Sequence, residues 1–291
     1  MWCSLGGIEK ARVFIDPERC LHCYIETRAS LGVGRERALE ILSRNPSRTK
    51  AFVESFSLSK RDFSRVKESL NEAALRLLEE SRLWESISDP LDWLALAAAA
   101  NSIDSWMPWG AHSSSVRLVK WRPPSRVREE VAKLLRDASD VVFLLDNAGE
   151  AVIDVALALS LASEGRKVYL VAKSLPYETD VTVGEVEAII GRVSRLLGVE
   201  ARLEVAGTGS RYPAPAVAAL GGLSMVRGAE LVVSKGIANY EALIEYCSID
   251  PSRTVIALTA KCPVLAEKFG VGLGDPVLRR GYECRGGNGG G

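Results

Sequence analysis

The chain has 291 residues, with 37 lysines and arginines against 37 aspartates and glutamates, so its formal net charge at pH 7 is zero. Hydrophobic residues make up 47% and charged residues 25%, an ordinary globular mixture whose length suggests roughly two domains. A disordered chain is excluded, and a dedicated DNA- or membrane-surface-binding protein is disfavoured, because neither the whole chain nor either half (15 basic and 16 acidic residues up to residue 115, 22 and 21 after it) carries a basic excess.

The N-terminus (Met1, Trp2, Cys3, Ser4, then Gly6-Gly7) lacks the basic and apolar regions of a signal peptide, and no stretch reaches the ~18–20 apolar residues of a membrane span. A soluble, cytoplasmic protein is expected. Asp16-Pro17-Glu18 is a strong helix start, with Asp as N-cap and Pro at the first helical position. The helix that follows carries Cys20 and Cys23 on one face. A second helical pattern runs from about Ser59 to Arg82, and Asp89-Pro90 repeats the cap-plus-proline start ahead of the apolar helix Leu91–Ala100. There Asn101-Ser102-Ile103-Asp104 interrupts an apolar run. Arg122-Pro123-Pro124-Ser125 reads as a domain joint, with Ser125 capping the helix Arg126–Asp137.

Beyond it, short apolar runs alternate with helical patterns. The expected order is strand Asp140–Leu145, helix Gly149–Ser163, strand Lys167–Ala172, helix Thr182–Leu197 and strand Ala201–Ala206. A helix around Ala214–Leu223, strand Glu230–Ser234, helix Tyr240–Tyr246, strand Thr254–Thr259 and helix Pro263–Phe269 follow. Strands and helices at this spacing are βαβ units, hence an α/β/α doubly wound, mostly parallel sheet. The expected division is a helical domain over 1–120, an α/β/α catalytic domain over 121–285 and a flexible Gly-rich tail over 286–291.

In such sheets ligands bind beyond the carboxyl ends of the strands. The first strand ends in Asp146-Asn147-Ala148-Gly149-Glu150, hard oxygen ligands beside backbone N–H groups at a helix start, which suits a divalent cation together with a phosphate. Helix capping would place the same residues there. Asp180 lies near the tip of the second strand, with capping again as its alternative. Lys235 and Lys261, two of only eleven lysines, end the fourth and fifth strands and could hold phosphate oxygens. The chain has no Gln and only six Asn, with 26 Arg against 11 Lys. Scarce amides fit a thermophile, although a GC-rich genome also favours Arg. Asn101, Asn147 and Asn239 nonetheless survive in these motif segments. There is no GxxxxGK[ST], no GxGxxG after the first strand and no GxSxG. Only His22 and His112 are present, which removes a Ser-His-Asp triad and a His-rich zinc site. Six cysteines do not make a disulfide scaffold in a chain this long, and Cys3, Cys247 and Cys284 carry no pattern.

Five segments together resemble the metal-dependent damage-control phosphatase family, formerly a domain of unknown function. They are Asp146-Asn147-Ala148-Gly149-Glu150, Thr179-Asp180-Val181-Thr182, Ser234-Lys235-Gly236 with Asn239-Tyr240-Glu241, Lys261-Cys262-Pro263, and Ala98–Ala100 with Asn101-Ser102-Ile103-Asp104. Cys20-Leu21-His22-Cys23 is similar to the N-terminal cysteine pair of its prokaryotic and archaeal branch. The resemblance implies a helical domain packed on the sheet domain and a divalent ion held by Asp146, Asn147 and Asp180. It also implies hydrolysis of small phosphomonoesters such as sugar phosphates or damaged phosphorylated metabolites. The sequence departs from the family at Thr179, where Asn is usual, at Glu185, where Asp is common, and at Ala100, where Gly is expected.

On this reading Mg²⁺ or Mn²⁺, with Co²⁺ and Ni²⁺ as further candidates, polarises the phosphoryl group. Lys261, Lys235, Gly236, Asn239, Asn101, Asp104, Glu150 and the Gly149 helix terminus surround the substrate. The attacking group is either water or the Asp146 carboxylate. Cys20 and Cys23 could join Cys262, or His22, in a second metal or redox site, or simply be buried. The rivals are an S-adenosylmethionine-dependent methyltransferase, whose Gly-rich loop is missing, and a non-catalytic module that binds a phosphorylated ligand. No nucleic acid or membrane partner is expected.

Overall fold

The computed structural model describes residues 62–81, 87, 89–103, 121–261, 263–272 and 274–284. Cys20, His22, Cys23, Asp104 and Cys262, the helix expected after Asp16-Pro17 and the 286–291 tail lie outside the described residues.

Two helices precede the sheet. Helix α1 (Ser64–Ser81) buries Leu70, Ala74 and Leu78, spaced four apart on one face. Helix α2 (Pro90–Ala100) starts as its sequence dictates, with the Asp89 carboxylate accepting the Leu91 N–H at 2.9 Å, and nearly every residue of it is buried. Helix α3 (Ser125–Asp137) differs slightly from expectation. Ser125 is its first residue, the N-cap is Pro124, and no side chain caps it. Arg128 ties α3 to the start of α2 through Asp92 at 2.9 Å and Asp89 at 3.3 Å.

The remaining elements are β1 (Asp140–Leu144), α4 (Glu150–Ser163), β2 (Lys167–Ala172), α5 (Val183–Leu197), β3 (Glu204–Gly207), α6 (Ala214–Ala219), α7 (Ser224–Gly228), β4 (Leu231–Lys235), α8 (Gly236–Tyr246), β5 (Thr254–Thr259), α9 (Pro263–Phe269) and β6 (Pro276–Arg280). Their strands form one sheet in the order β3-β2-β1-β4-β5-β6, parallel throughout except for β6, which runs antiparallel to β5. The α/β/α doubly wound class therefore holds.

Three details depart from expectation. The sixth strand was not anticipated, because a five-residue segment opening with proline and ending in two arginines has no strand-like alternation. The helix expected over Ala214–Leu223 ends at Ala219, and a second short helix starts after Leu223, which adopts a φ of 53°. Helix α8 begins at Gly236, directly after β4, rather than at Tyr240.

Successive β1 residues point to opposite faces. Val141 and Phe143 join a core with Ile153, Leu157 and Leu170, while Val142 and Leu144 join one with Val232, Leu243, Ile256 and Leu265. Leu70, Leu78 and Leu94 belong to the first of these; α2 packs against β5 and β6, and α1 lies over α4 and α5. Cys247, after α8, and Cys284, after β6, form a disulfide with Cα atoms 5.6 Å apart although they are 37 positions apart in sequence. The unexpected antiparallel β6 is what carries Cys284 back to the end of α8. Among the described residues no helix is long and apolar enough to cross a membrane.

Candidate active site

Strand β1 lies between β2 and β4, where the winding of the sheet reverses and a crevice opens at the carboxyl edge. The loops after β1 and β2 meet there. Asn147 forms an antiparallel bridge with Asp180, the Ala148 N–H donates to the Thr179 carbonyl at 2.8 Å, and the Val181 N–H donates to the Asp146 carbonyl at 2.9 Å. Asp146, Asn147 and Asp180 are thereby fastened side by side by backbone bonds, and all three are buried. Helix capping does not account for Asp180, since Thr182 is the N-cap of α5 and the Glu185 carboxylate accepts both its N–H and its hydroxyl.

The amide of Asn147 is oriented by what surrounds it. Its Nδ2 donates to Asp146 Oδ2 at 2.9 Å and to Glu150 Oε1 at 3.2 Å, while its Oδ1 accepts the Thr179 hydroxyl at 2.7 Å. An ideal Cβ on Gly236, whose φ is +73°, would fall 1.8 Å from Asp146 Oδ2. A glycine is required at that point because the Asp146 carboxylate rests on the first turn of α8, where the positive end of the helix dipole also favours its charge. Gly236 is thus the seat of Asp146, a more particular role than phosphate binding.

Lys235 turns inward. It is fully buried, with its ammonium 3.0 Å from Glu150 Oε2 and 2.9 Å from Asp154 Oδ1, and it donates to the Ala97 carbonyl of α2 at 2.6 Å. Two carboxylates and a carbonyl enclose its ammonium, so the expectation that it holds phosphate is replaced by a role in the core. Burial alone would lower the Lys235 pKa, but Asp154 and Glu150 hold it above its ordinary value. Burial would raise Glu150, but the charges of Lys235 and Lys261 hold it low. Asp154 is pushed by burial up to about 7, against the pull of Lys235, and its Oδ2 has no hydrogen-bond partner.

The amides are structural as well. Asn101 is fully buried. Its Nδ2 donates to Glu150 Oε1 at 2.7 Å and Asp146 Oδ2 at 3.3 Å, and its Oδ1 accepts the Thr259 N–H of β5 at 2.8 Å. Asn239 donates to the carbonyls of Leu145 and Lys235, each at 3.0 Å, and accepts the Ala214 N–H at 3.3 Å. Neither has the free valence that the phosphate reading asked of it. The Gly149 terminus is also occupied: its N–H donates to Asn71 Oδ1 of α1 at 2.7 Å, and the Asn147 N–H donates to Glu150 Oε1 at 3.2 Å. The amides just ahead of α4 therefore anchor α1 and the loop. A Cβ on Gly149, at φ +83°, would fall 2.7 Å from Ile103 Cγ2, so the glycine lets the preceding helical region dock.

Residues the sequence reading did not single out complete the site. Lys173, the residue after β2, is buried and ion-paired with Asp180. Burial draws its pKa down to about 8, against the charges of Asp146 and Glu178. Lys67 of α1 is buried against Glu185 at 3.1 Å. Asn71 was detectable in principle, since the few asparagines of this chain cluster: Asn71, Asn101, Asn147 and Asn239 are all at this site, and Asn45 and Asn288 lie outside the described residues. Lys261, after β5, is buried beside the same group, close enough to hold down Glu150.

Two carboxylates and one amide oxygen, which also accepts the Thr179 hydroxyl, form an all-oxygen donor set that suits a hard divalent ion. The Lys173 ammonium already stands against Asp180, so a cation fits there. Among the described residues no group of three or more His, Cys, Asp and Glu side chains could hold a metal ion. The third donor of this set is an amide.

Comparison with known proteins agrees with the motifs. Residues 35–277 match the family described as the damage-control phosphatase ARMT1-like domain. An uncharacterized protein of Methanocaldococcus jannaschii is 26% identical over 247 residues, covering 78% of this chain and 76% of its own. A damage-control phosphatase of Archaeoglobus fulgidus is 33% identical over 147 residues, covering 48% of this chain and 46% of its own. Among solved structures, the crystal structure of a DUF89 family protein from Pyrococcus horikoshii superposes with a TM-score of 0.57 at 20% identity, over 89% of this chain and 90% of that one.

Proposed function

This chain belongs to the ARMT1-like damage-control phosphatase family, and from that premise we propose that it is a metal-dependent phosphatase of small phosphorylated metabolites, sugar phosphates or damaged phosphomonoesters among them. The observation that carries the reading is the bridge between Asn147 and Asp180. It brings the two loops into a single oxygen-lined site at the sheet's carboxyl edge. Asp146, Asn147 and Asp180 would hold the ion, Mg²⁺ or Mn²⁺ being the first candidates and Co²⁺ and Ni²⁺ the next. Bound there, a divalent ion supplies Lewis-acid polarisation of the phosphoryl group and offsets the charge that develops on it.

The chain's own residues do the rest. Glu150 and Asp146 hold the Asn147 NH₂ and the Thr179 hydroxyl holds its oxygen, which together fix the plane of the amide. The seat at Gly236 fixes the Asp146 carboxylate. Lys261 supplies positive charge for the non-bridging oxygens. No observation favours methyl transfer: the turn after β1 is filled by Asp146, Asn147 and Glu150, with the Asn147, Ala148 and Gly149 amides engaged.

The test is a panel of phosphorylated metabolites against these ions with released phosphate as the readout. Release is expected to need the ion, to stop with EDTA, and to fall by about a thousandfold or more in Asp146→Ala and Asp180→Ala, as removal of transition-state charge stabilisation demands. Ligand binding without phosphate release from any substrate would identify a binding module instead. Full activity in either variant would reject the site.

A further inference from the structure

We propose that Lys173 is an exchangeable cation of this site: it neutralises Asp180 while no metal ion is bound and moves to a phosphoryl oxygen when an ion takes that carboxylate. The proposal rests on the metal-dependent reading above and adds to it a residue that couples metal to substrate.

The backbone of Lys173 is immobilised. Its N–H donates to the Val181 carbonyl at 3.2 Å, its carbonyl accepts the Val183 N–H at 3.2 Å, and it forms a parallel bridge with Thr182. Any movement therefore belongs to the four-carbon side chain. That side chain reaches Asp180 with both partners nearly buried, 8% and 10% exposed, and its ammonium lies 4.8 Å from the centre of the Tyr177 ring. Asp180 is held by its bridge to Asn147, so it stays in place for whichever cation occupies it.

A divalent ion on Asp146, Asn147 and Asp180 would compete for the same carboxylate and repel the ammonium beside it. The Lys67 charge on α1 adds to that repulsion. The displaced ammonium cannot stay unpaired in so dry a place, because burial of a lone charge is strongly unfavourable. An anion entering the site is the partner that relieves it, and a phosphomonoester carries one. Metal and phosphate should then each tighten the binding of the other, since such coupling is reciprocal. Lys235 cannot take this part, because its two carboxylates and the Ala97 carbonyl hold it away from the crevice.

The test uses the full chain with Mn²⁺ and inorganic phosphate as calorimetric probes. In Lys173→Met, Mn²⁺ alone is expected to bind about tenfold tighter, because a competing cation is gone. Inorganic phosphate at saturating Mn²⁺ is expected to bind at least about tenfold weaker, because a charged partner is gone. Lys173→Gln, whose amide can still donate to Asp180, carries the same two expectations should the methionine variant not fold. Lys173→Arg should bring both affinities back to within about threefold of the parent, since the charge returns. Unchanged or weaker Mn²⁺ binding in the neutral variants, or unchanged phosphate affinity, would overturn the exchange while leaving the metal site standing. Failure of the unaltered protein to bind Mn²⁺ would overturn the metal-dependent reading and this proposal with it.

Discussion

Two lysines end strands that flank β1, and they have opposite situations. Lys235, at the end of β4, is completely enclosed, with Glu150 and Asp154 around it and the Ala97 carbonyl above. Lys173, just past β2, meets one carboxylate and remains slightly open to the crevice. The difference teaches that position on the functional edge of a sheet does not make a charge functional. What decides is whether its partners already satisfy every donor. Lys235 joins α2, α4 and β4 into one core, whereas Lys173 pairs with the carboxylate that the proposed ion would share.

The sharpest way to break this comparison is Lys235→Met. It would strand two buried carboxylates, and loss of one partner from a buried ionic cluster typically costs about 3–5 kcal/mol. Denaturant unfolding should register that loss, and Lys173→Met should show a clearly smaller one. Equal losses would erase the distinction between the two lysines.

Gly236→Ala tests the boundary between the two regions, because Gly236 follows Lys235 and seats Asp146. The added methyl group would collide with the carboxylate. Activity should fall about a hundredfold, the scale seen when a catalytic group is misplaced by an ångström, while circular dichroism stays native.

The smallest effect is a pH dependence. Burial pushes Asp154 up to about 7, with Lys235, Glu150 and Asp146 as the charges that act on it. Its folded value is above its unfolded one, so between them the folded state holds the extra proton. This contribution to stability is complete below about pH 4 and is lost as pH rises through about 7. Asp154→Asn should flatten the stability curve over that window. An unchanged slope would mean that Lys235 keeps Asp154 ionised throughout.

Much of the fold was legible because βαβ units announce themselves by period. That Asp146, Asn147 and Asp180 would meet was legible for the same reason: they follow strands whose ends must share an edge. Partner assignment was not legible. Lys235 looked like a phosphate ligand because nothing local reveals that Asp154, a turn into α4, lies beside it. Nothing local sets Lys173 apart from an exposed lysine; its pairing with Asp180 exists only because the two loops bridge. Asn71 sits on a helix distant in sequence, and its bond to Gly149 exists only because α1 packs over α4. Cys247 and Cys284 meet only through β6, a strand whose composition hides it.

Edge strands are where sheets fray, and β6 is the edge strand at the end that follows β5. The Cys247–Cys284 bond welds the chain leaving that strand to the far end of α8, a rod of 11 residues about 16 Å long. Closing so long a loop removes roughly 4 kcal/mol of unfolded-chain entropy. The other end of the rod is Gly236, beneath Asp146. The disulfide thus ties the sheet's antiparallel margin to the same helix that seats Asp146.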